Sequence, residues 1–352
     1  MSKVYERLAK HLKDGSVCVA TILSGPSAGE KVIWRGSRIL EGKEKESWQE
    51  VMGAVNQSEA SLPRIISVST AGETAPADIR IFVERLMQEP ELVICGGGHI
   101  SLELAALADY LEYSYVILDD REEFCNPFRF PRAKACICGA FSDGLAVEKE
   151  FSGNAYYVIV TRGHQADLEC LELILQHPYG YIGMIGSRGK VARTMAVLQE
   201  KGYSGEQLSA VHAPIGLPIG GQTPKEIAVS IAAQLVEQKN RQDSASYLDR
   251  ELLERLARKQ SGRTVMATII DKQGSAPRGT GSRMLVDKNG IFCGTIGGGM
   301  VEYEAGRAAR AMALEETGTE PIQTVSYQVN NRTAAALGMW CGGEVEVMLE
   351  LL

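Results

Sequence analysis

The sequence predicts an α/β protein in which a doubly wound parallel sheet is flanked by a smaller α+β domain. Strand-like and helix-like segments alternate between about Glu91 and Asn240, which is typical of parallel strands joined by crossover helices. A glycine turn joins the first strand of that block to its first helix. The segments on either side of the block resemble each other, which indicates a duplicated unit.

These observations divide the chain into four segments. We predict that residues 1–90 form a degenerate copy of the small domain and that residues 91–240 form the parallel-sheet domain. Residues 241–260 are predicted to be a helical linker, since Leu248, Leu252, Leu253 and Leu256 fall on one helical face. Residues 261–352 then form the intact copy of the small domain.

The duplication is supported by two ungapped matches. Gly15-Ser-Val-Cys-Val-Ala-Thr-Ile-Leu23 matches Gly262-Arg-Thr-Val-Met-Ala-Thr-Ile-Ile270, and Ile79–Glu84 matches Val345–Glu350. The first copy lacks the glycine-rich segments of the second, so we interpret it as structural. Chance similarity between two β-hairpins is the alternative.

Composition excludes several classes of function. The net charge of the 352 residues is −7 with no block of like charge, which argues against non-specific nucleic-acid binding. No apolar run reaches the roughly 18 residues of a membrane span, and residues 1–7 show no signal core. We therefore expect a cytoplasmic protein that binds neither nucleic acid nor membrane. The eight cysteines include no Cys-x-x-Cys pair, so zinc and iron–sulfur centres are not expected.

The glycine turn Gly96–Gly98 follows the buried strand Glu91–Cys95 and precedes a helix that begins at His99. The next strand ends at Asp119, 23 residues after Gly96. Strand, glycine turn, helix, strand and acid form the fingerprint of a Rossmann-type nucleotide site, where the helix N-terminus binds a pyrophosphate and the acid binds the ribose.

Two residues depart from that fingerprint. Ser101 stands where the third glycine is expected, which weakens the match. His99 at the mouth of the turn is either a helix-start residue or a contact to a phosphate or cofactor.

Further candidate residues follow two later strands of the same block. Ligands of open α/β sheets lie outside the carboxyl ends of the strands, which places five polar side chains on the ligand-facing rim. These are His164 and Asp167, a candidate catalytic acid–base pair, and Ser187, Arg188 and Lys190. Arg188 and Lys190 suit a phosphate; the alternative is that they are solvated loop charges.

The last segment supplies a second set of candidate residues. Arg278, the triple glycine Gly297, Gly298 and Gly299, and Glu302 lie between predicted strands, and the glycines indicate either a tight bend or a close backbone approach to a ligand. Cys341 lies in a glycine loop, which favours exposure and reactivity. We interpret it as a catalytic thiol or a ligand of a soft metal, with a plain turn cysteine as the alternative.

Together these motifs resemble the xanthine dehydrogenase accessory factor family (XdhC/CoxI). The sequence that resembles its Rossmann domain runs from about Leu92 to Lys239, and the sequence that resembles its small domain from about Gly262 to Leu352. The motifs that carry the resemblance are Gly96-Gly-Gly-His99, Asp119-Asp-Arg121, Arg129-Phe-Pro131, Tyr181-Ile-Gly-Met-Ile-Gly-Ser-Arg188, Ala213-Pro-Ile-Gly-Leu-Pro-Ile-Gly220, Gly274-Ser-Ala-Pro-Arg278, Gly294-Thr-Ile-Gly-Gly-Gly299 and Leu337-Gly-Met-Trp-Cys-Gly-Gly343. In the family the small domain precedes the Rossmann domain, whereas the intact copy here follows it.

The resemblance implies a homodimeric accessory protein that binds the molybdenum cofactor (molybdopterin). Its implied partners are a xanthine dehydrogenase-type apoenzyme, into which the cofactor is inserted, and a cysteine desulfurase as the sulfur source. The alternative, based on the fingerprint and Asp119, is an NAD(P)-dependent oxidoreductase. A third interpretation is a binding module whose ligand only regulates assembly.

Overall fold

The computed structural model describes residues 2–43, 46–57, 61–70, 77–146, 151, 153–241, 246–248, 250–258, 262–274, 278–315, 320–330 and 342–352. It divides into two compact units. The repeat unit contains residues 1–88 and 243–352, and the Rossmann unit contains residues 89–242. Within the described residues, no helix has both the length and the apolar content needed to cross a bilayer.

The Rossmann unit is built around a five-stranded parallel sheet in the order β10-β9-β6-β7-β8. Its elements are β6 (Leu92–Cys95), α3 (His99–Tyr110), β7 (Tyr115–Asp119), β8 (Ala135–Cys138), α4 (Phe141–Leu145), β9 (Tyr156–Ile159), α5 (His164–Ile174), β10 (Tyr181–Met184), α6 (Arg188–Glu200), α7 (Gly205–Ser209) and α8 (Pro224–Arg241). Both faces of the sheet are covered, since Leu92 and Ile94 enter one core cluster while Val93 and Cys95 enter the other. The predicted doubly wound sheet is confirmed.

The repeat unit contains two sheets with the same topology. The first copy comprises α1 (Ser2–Leu12), β1 (Val17–Ile22), β2 (Lys31–Arg35), β3 (Arg38–Glu41), α2 (Glu46–Gln57), β4 (Arg64–Thr70) and β5 (Ala77–Gln88). The second comprises α9 (Arg250–Ala257), β12 (Val265–Gln273), β13 (Arg283–Asp287), β14 (Gly290–Gly294), α10 (Gly299–Leu314), β15 (Ile322–Asn330) and β16 (Gly342–Leu351). The strand orders β4-β5-β1-β2-β3 and β15-β16-β12-β13-β14 correspond, which confirms the duplication.

The segment predicted as a helical linker is only partly helical. Residues Ser246–Leu248 form β11, which pairs in parallel with the end of β5, and the helix α9 begins at Arg250. Ser246 and Leu248 are buried in this pairing. Tertiary pairing with an available strand thus overrides the helical pattern of the leucines.

Reciprocal contacts relate the two copies. The register pairs Thr21 with Lys31 in the first copy and Thr268 with Arg283 in the second, so Lys31 and Arg283 are equivalent. By the same comparison Glu84 and Glu350 are equivalent, since they face Val19 and Met266. Arg283 forms a buried ion pair with Glu84, and Lys31 lies 3.0 Å from Glu350.

A third ion pair joins two residues that are themselves equivalent. Arg80 and Glu346 occupy the same place in the two copies and form a two-pronged pair with distances of 2.8 and 2.5 Å. These three ion pairs are reciprocal between the two copies, which is the pattern of an isologous dimer interface. The duplication therefore places an internal pseudo-dimer within one chain.

Breaking the buried pair tests its role in this interface. In Arg283→Met the carboxylate of Glu84 stays buried without its cation, and we expect the free energy of unfolding to fall by about 3–5 kcal/mol. Urea denaturation followed by tryptophan fluorescence reports on this unit, because Trp34, Trp48 and Trp340 all belong to its residue ranges.

Arg307→Met is the matched control, because Arg307 is exposed and pairs with Glu304 on the surface of α10. It should change the free energy of unfolding by less than about 0.5 kcal/mol. Equal losses in the two variants would contradict the role assigned to the buried pair.

Candidate functional site

The candidate site lies where the strand order of the Rossmann unit reverses. From β6 the chain proceeds to β7 and β8 on one side, and then returns to β9 on the other side of β6. Ligands of open α/β sheets bind in the crevice that opens at such a switch point. Here the crevice is bordered by the turn of residues 96–98 and by the loop of residues 160–163.

The three glycines of the turn differ in what a side chain at each position would contact. A Cβ on Gly96, whose φ is +108°, would lie 2.5 Å from the carbonyl oxygen of Val160, and one on Gly97 would overlap the carbonyl oxygen of Phe124. Both residues are therefore required by packing. Gly98 has open space where its Cβ would be, and it precedes α3 without any side-chain cap. Its open face is the part of the turn that suits a ligand.

The carboxylate of Asp119 holds this turn in place. It is buried and accepts hydrogen bonds from the Gly97 N–H at 2.8 Å and from the backbone N–H and guanidinium of Arg121 at 2.8–3.0 Å. Burial acts to raise the pKa of Asp119, but the hydrogen bonds from Arg121 and Gly97 prevail and lower it. Asp119 could bind a ribose, as the sequence predicts, only if Arg121 moved away from this carboxylate.

Arg129 braces the same turn from the other side. Its guanidinium donates to the carbonyl oxygens of Gly97 at 2.9 Å and Gly98 at 3.1 Å. It also lies over the ring of Phe124, 5.2 Å from the centroid, and Arg121 lies over that ring at 3.8 Å. Sequence reasoning assigned no site role to Arg129, although the family motif Arg129-Phe-Pro131 contains it.

Ser101 and His99 occupy the first turn of α3. Ser101 is buried, and its hydroxyl hydrogen-bonds to the carbonyl oxygen of Gly96. The missing third glycine is thus replaced by a residue that adds a bond to the turn. His99 is exposed beside the crevice, where it is accessible to a ligand.

The rim on the β9 and β10 side is held by a second buried carboxylate. Asp167 is fully buried, forms an ion pair with Lys190 and lies 2.6 Å from the hydroxyl of Thr161. Lys190 is thereby committed to Asp167, which lessens its availability for a phosphate. His164 is exposed, and its Nδ1 lies 3.4 Å from the hydroxyl of Thr194. The predicted acid–base pair of His164 and Asp167 is therefore replaced by an Asp167–Lys190 ion pair.

The start of α6 places one exposed, positively charged side chain at the rim. Ser187 caps this helix by accepting from the N–H of Lys190 at 3.3 Å. Arg188, the first residue of α6, is exposed. On the same side of the crevice Arg162, which follows β9, is 2.7 Å from Asp120, so its charge is offset.

The predicted residues of the second small-domain copy lie in the repeat unit. The φ angles of the triple glycine are positive, at +120° for Gly297, +74° for Gly298 and +69° for Gly299. Because this backbone conformation favours glycine, it explains why three glycines occur here. The carboxylate of Glu302 accepts hydrogen bonds from the N–H groups of Ile296 and Gly298 at 2.9 and 3.1 Å and therefore organises this turn.

The other predicted residues of this copy are Arg278 and Cys341. Arg278 is exposed, and Cys341 lies outside the described residues. Within the described part of the chain, no group of three or more metal-ligating side chains is close enough to hold a metal ion.

Comparison with known proteins gives the family. Residues 92–235 match the XdhC Rossmann domain, and residues 257–328 match the XdhC and CoxI family. The chain belongs to the XdhC/CoxI family. The Rossmann match contains both the glycine turn of residues 96–98 and the rim residues up to α6.

Three similar proteins illustrate the relationship. The uncharacterized protein YqeB of Escherichia coli K12 is 32% identical over 169 residues, which cover 48% of this chain and 31% of that protein. A probable xanthine dehydrogenase subunit from Bacillus subtilis 168 is 30% identical over 161 residues, which cover 46% of each chain. The chain thus spans less than half the length of these relatives. A crystal structure of a Bacillus halodurans xanthine dehydrogenase has a TM-score of 0.48 and 23% identity, covering 71% of this chain and 69% of that one.

The glycine turn offers two matched substitutions. In Gly97→Ala the new methyl group would overlap the carbonyl oxygen of Phe124, and we expect the Rossmann unit to lose about 1–3 kcal/mol of stability. Gly98→Ala places its methyl group in open space and should change the stability by less than about 0.5 kcal/mol.

Hydrogen exchange of the peptides that cover β6 and α3 measures both effects. Exchange in Gly97→Ala should accelerate, whereas exchange in Gly98→Ala should match that of the unsubstituted chain. Acceleration of equal size in both variants would show that packing does not distinguish the two glycines.

Proposed function

We propose that this chain is an accessory factor of a xanthine dehydrogenase-type molybdenum enzyme and that it binds the molybdenum cofactor through the phosphate end of the molybdopterin. The observation that carries the proposal is the open face of Gly98 at the uncapped start of α3. The family supports the class of protein, and the similarity to the Bacillus subtilis relative supports the class of partner.

The residues of the crevice fit a phosphate group. An added Cβ at Gly98 would occupy the space that we assign to the phosphate, and the N-terminus of α3 carries a partial positive charge. The guanidinium of Arg129 donates hydrogen bonds to the carbonyl oxygens of Gly97 and Gly98. These two acceptors, which would repel an anion, are therefore turned away from the phosphate position. His99 and Arg188 are exposed donors beside the crevice.

The same geometry disfavours a redox nicotinamide dinucleotide. Rossmann enzymes that use NAD recognise the ribose hydroxyl groups with a free carboxylate at the end of the second strand. Asp119 occupies that place, but its carboxylate is buried and committed to Gly97 and Arg121. Hydride transfer would also lack the predicted acid–base pair of His164 and Asp167, because Asp167 forms an ion pair with Lys190.

In this proposal the residues of the chain bind the cofactor and orient it. The backbone N–H groups after Gly98 bind the phosphate, and Arg129 and Asp119 keep the turn rigid. When bound, the cofactor supplies a molybdenum centre and its terminal sulfur to the partner enzyme. Cys341 is the proposed thiol near that metal, and a cysteine desulfurase is the proposed source of the sulfur. A homodimer remains a prediction.

Gly98→Val tests the phosphate site. The backbone of Gly98, with φ −69° and ψ −163°, is extended and accepts a β-branched residue, so the fold should persist while the new side chain fills the cradle. The protein is purified anaerobically from a host that makes the cofactor, and its pterin is oxidised and quantified by fluorescence. We expect at least a tenfold loss of bound pterin.

The control is Gly205→Val, which also places its side chain in open space, at the start of α7. It should keep the pterin content of the unsubstituted chain. Equal pterin content in both variants, or saturable binding of NADH with no pterin, would contradict the proposal.

Cys341→Ser tests the proposed metal-facing thiol. We expect molybdenum, measured by elemental analysis of the anaerobically purified protein, to be lost while the far-ultraviolet circular dichroism spectrum is unchanged. Cys138→Ser is the control, because Cys138 is an exposed cysteine at the end of β8. Retention of molybdenum by Cys341→Ser at the level of this control would count against the role of Cys341.

A further inference from the structure

An exposed ion pair crosses the crevice of the Rossmann unit. Asp120 directly follows β7 and Arg162 follows β9, whereas β6 and its glycine turn lie between these two strands. The guanidinium of Arg162 nevertheless reaches the carboxylate of Asp120, with 2.7 Å between nitrogen and oxygen. The two side chains therefore meet beyond the carboxyl end of β6, and we call them the crossing pair.

The loop after β9 packs directly on the glycine turn. A Cβ added to Gly96 would lie 2.5 Å from the carbonyl oxygen of Val160 and 2.9 Å from Cα of Thr161. Arg162 is the next residue, so its side chain starts beside the turn. At the other end of the crossing pair, Asp120 follows the buried carboxylate that binds the turn from β7. The crossing pair thus spans the turn from one side to the other.

The partners of the crossing pair are easy to exchange. Both are exposed, since the side chain of Asp120 keeps 40% of its accessible surface and that of Arg162 keeps 57%. An exposed ion pair contributes little to stability, because water solvates both charges and salt screens their attraction. A phosphate monoester carries a charge of about −1.5 to −2 at neutral pH and can accept two parallel N–H bonds from a guanidinium. It therefore competes well with a single carboxylate for an arginine.

Other cations around the crevice are held more firmly. Arg121 and Lys190 are paired with carboxylates that are almost completely buried. Release of either cation would leave a buried charge without its partner, which is costly. Arg162 can leave Asp120 at little cost, because this carboxylate is exposed to water and lies 3.8 Å from Arg121.

We propose that Arg162 is a phosphate clamp that exchanges Asp120 for a phosphate group bound at Gly98. Without a bound phosphate, Asp120 holds the guanidinium across the turn. When a phosphate binds at the start of α3, the guanidinium turns from Asp120 and donates to the phosphate oxygens. Asp120 acts against anion binding, since it competes for Arg162 and adds a negative charge beside the site. This inference rests on the proposed phosphate site and names the cation that completes it.

Isothermal titration calorimetry of the full chain with inorganic pyrophosphate, at fixed ionic strength, tests the exchange. Arg162→Met should raise the Kd at least tenfold, because the clamp is lost. Asp120→Asn should lower the Kd at least threefold, because it frees Arg162 at nearly unchanged side-chain size. A purely structural role of the crossing pair predicts instead that both substitutions weaken binding, and that result would overturn the proposal.

Two variants control for the change in net charge. Lys201→Met removes a positive charge at the far end of α6, where Lys201 pairs with Glu172. Glu122→Gln removes a negative charge from an exposed position in the loop after β7. Both should keep the Kd within about twofold of the unsubstituted chain. In the Arg162→Met background, Asp120→Asn should no longer tighten binding, since no guanidinium remains to be released; tightening of the same size would overturn the exchange.

The same titrations separate the clamp from the proposed function. Pyrophosphate binding that is lost in Gly98→Val but unchanged in Arg162→Met would support the phosphate site and overturn the clamp. Binding that depends on Arg162 in a protein that carries no pterin would support the clamp and contradict the molybdenum cofactor. Failure of pyrophosphate to bind the unsubstituted chain would overturn the clamp, whereas the pterin content decides the cofactor independently.

Discussion

The carboxylate of Asp119 is the contact on which the candidate site depends. It ties the end of β7 to the glycine turn after β6 through the Gly97 N–H, and it fixes Arg121 against the ring of Phe124. With Arg129 holding the carbonyl oxygens of the same turn, the backbone at Gly98 has little freedom to move. A carboxylate that serves nucleotide recognition in related folds is used here to preorganise the glycine turn, on which the proposed phosphate site depends.

The repeat unit shows how duplication changes an interface. Two equivalent copies meet through reciprocal ion pairs, and one such pair joins equivalent residues. A symmetric dimer of identical copies would carry the same residues at both places. Within one chain the two places can diverge, and the Lys31 and Arg283 positions have done so. At one place an arginine pairs with the facing glutamate, whereas at the other a lysine reaches one oxygen of its glutamate partner.

Much of the fold follows from local sequence, because buried strands and glycine turns are short-range signals. The strand before Gly96, the helix after it and the matching segments around Gly15 and Gly262 could all be predicted. The pairing of β11 with β5 could not, since it joins residues about 160 positions apart. The commitments of Asp119 to Arg121 and of Asp167 to Lys190 were also missed, because spacing identifies a carboxylate but not its partner. Cys341 lies outside the described residues and stays a prediction.

The central claim is that the crevice at Gly98 holds a phosphate-bearing molybdenum cofactor. Native mass spectrometry of the chain, purified anaerobically from a host that synthesises the cofactor, tests it most directly because the mass identifies the bound molecule. The account predicts a non-covalent complex with the mass of the molybdenum cofactor or its nucleotide form. A complex with the mass of NAD or NADP, or a chain that carries no ligand from such a host, would contradict it.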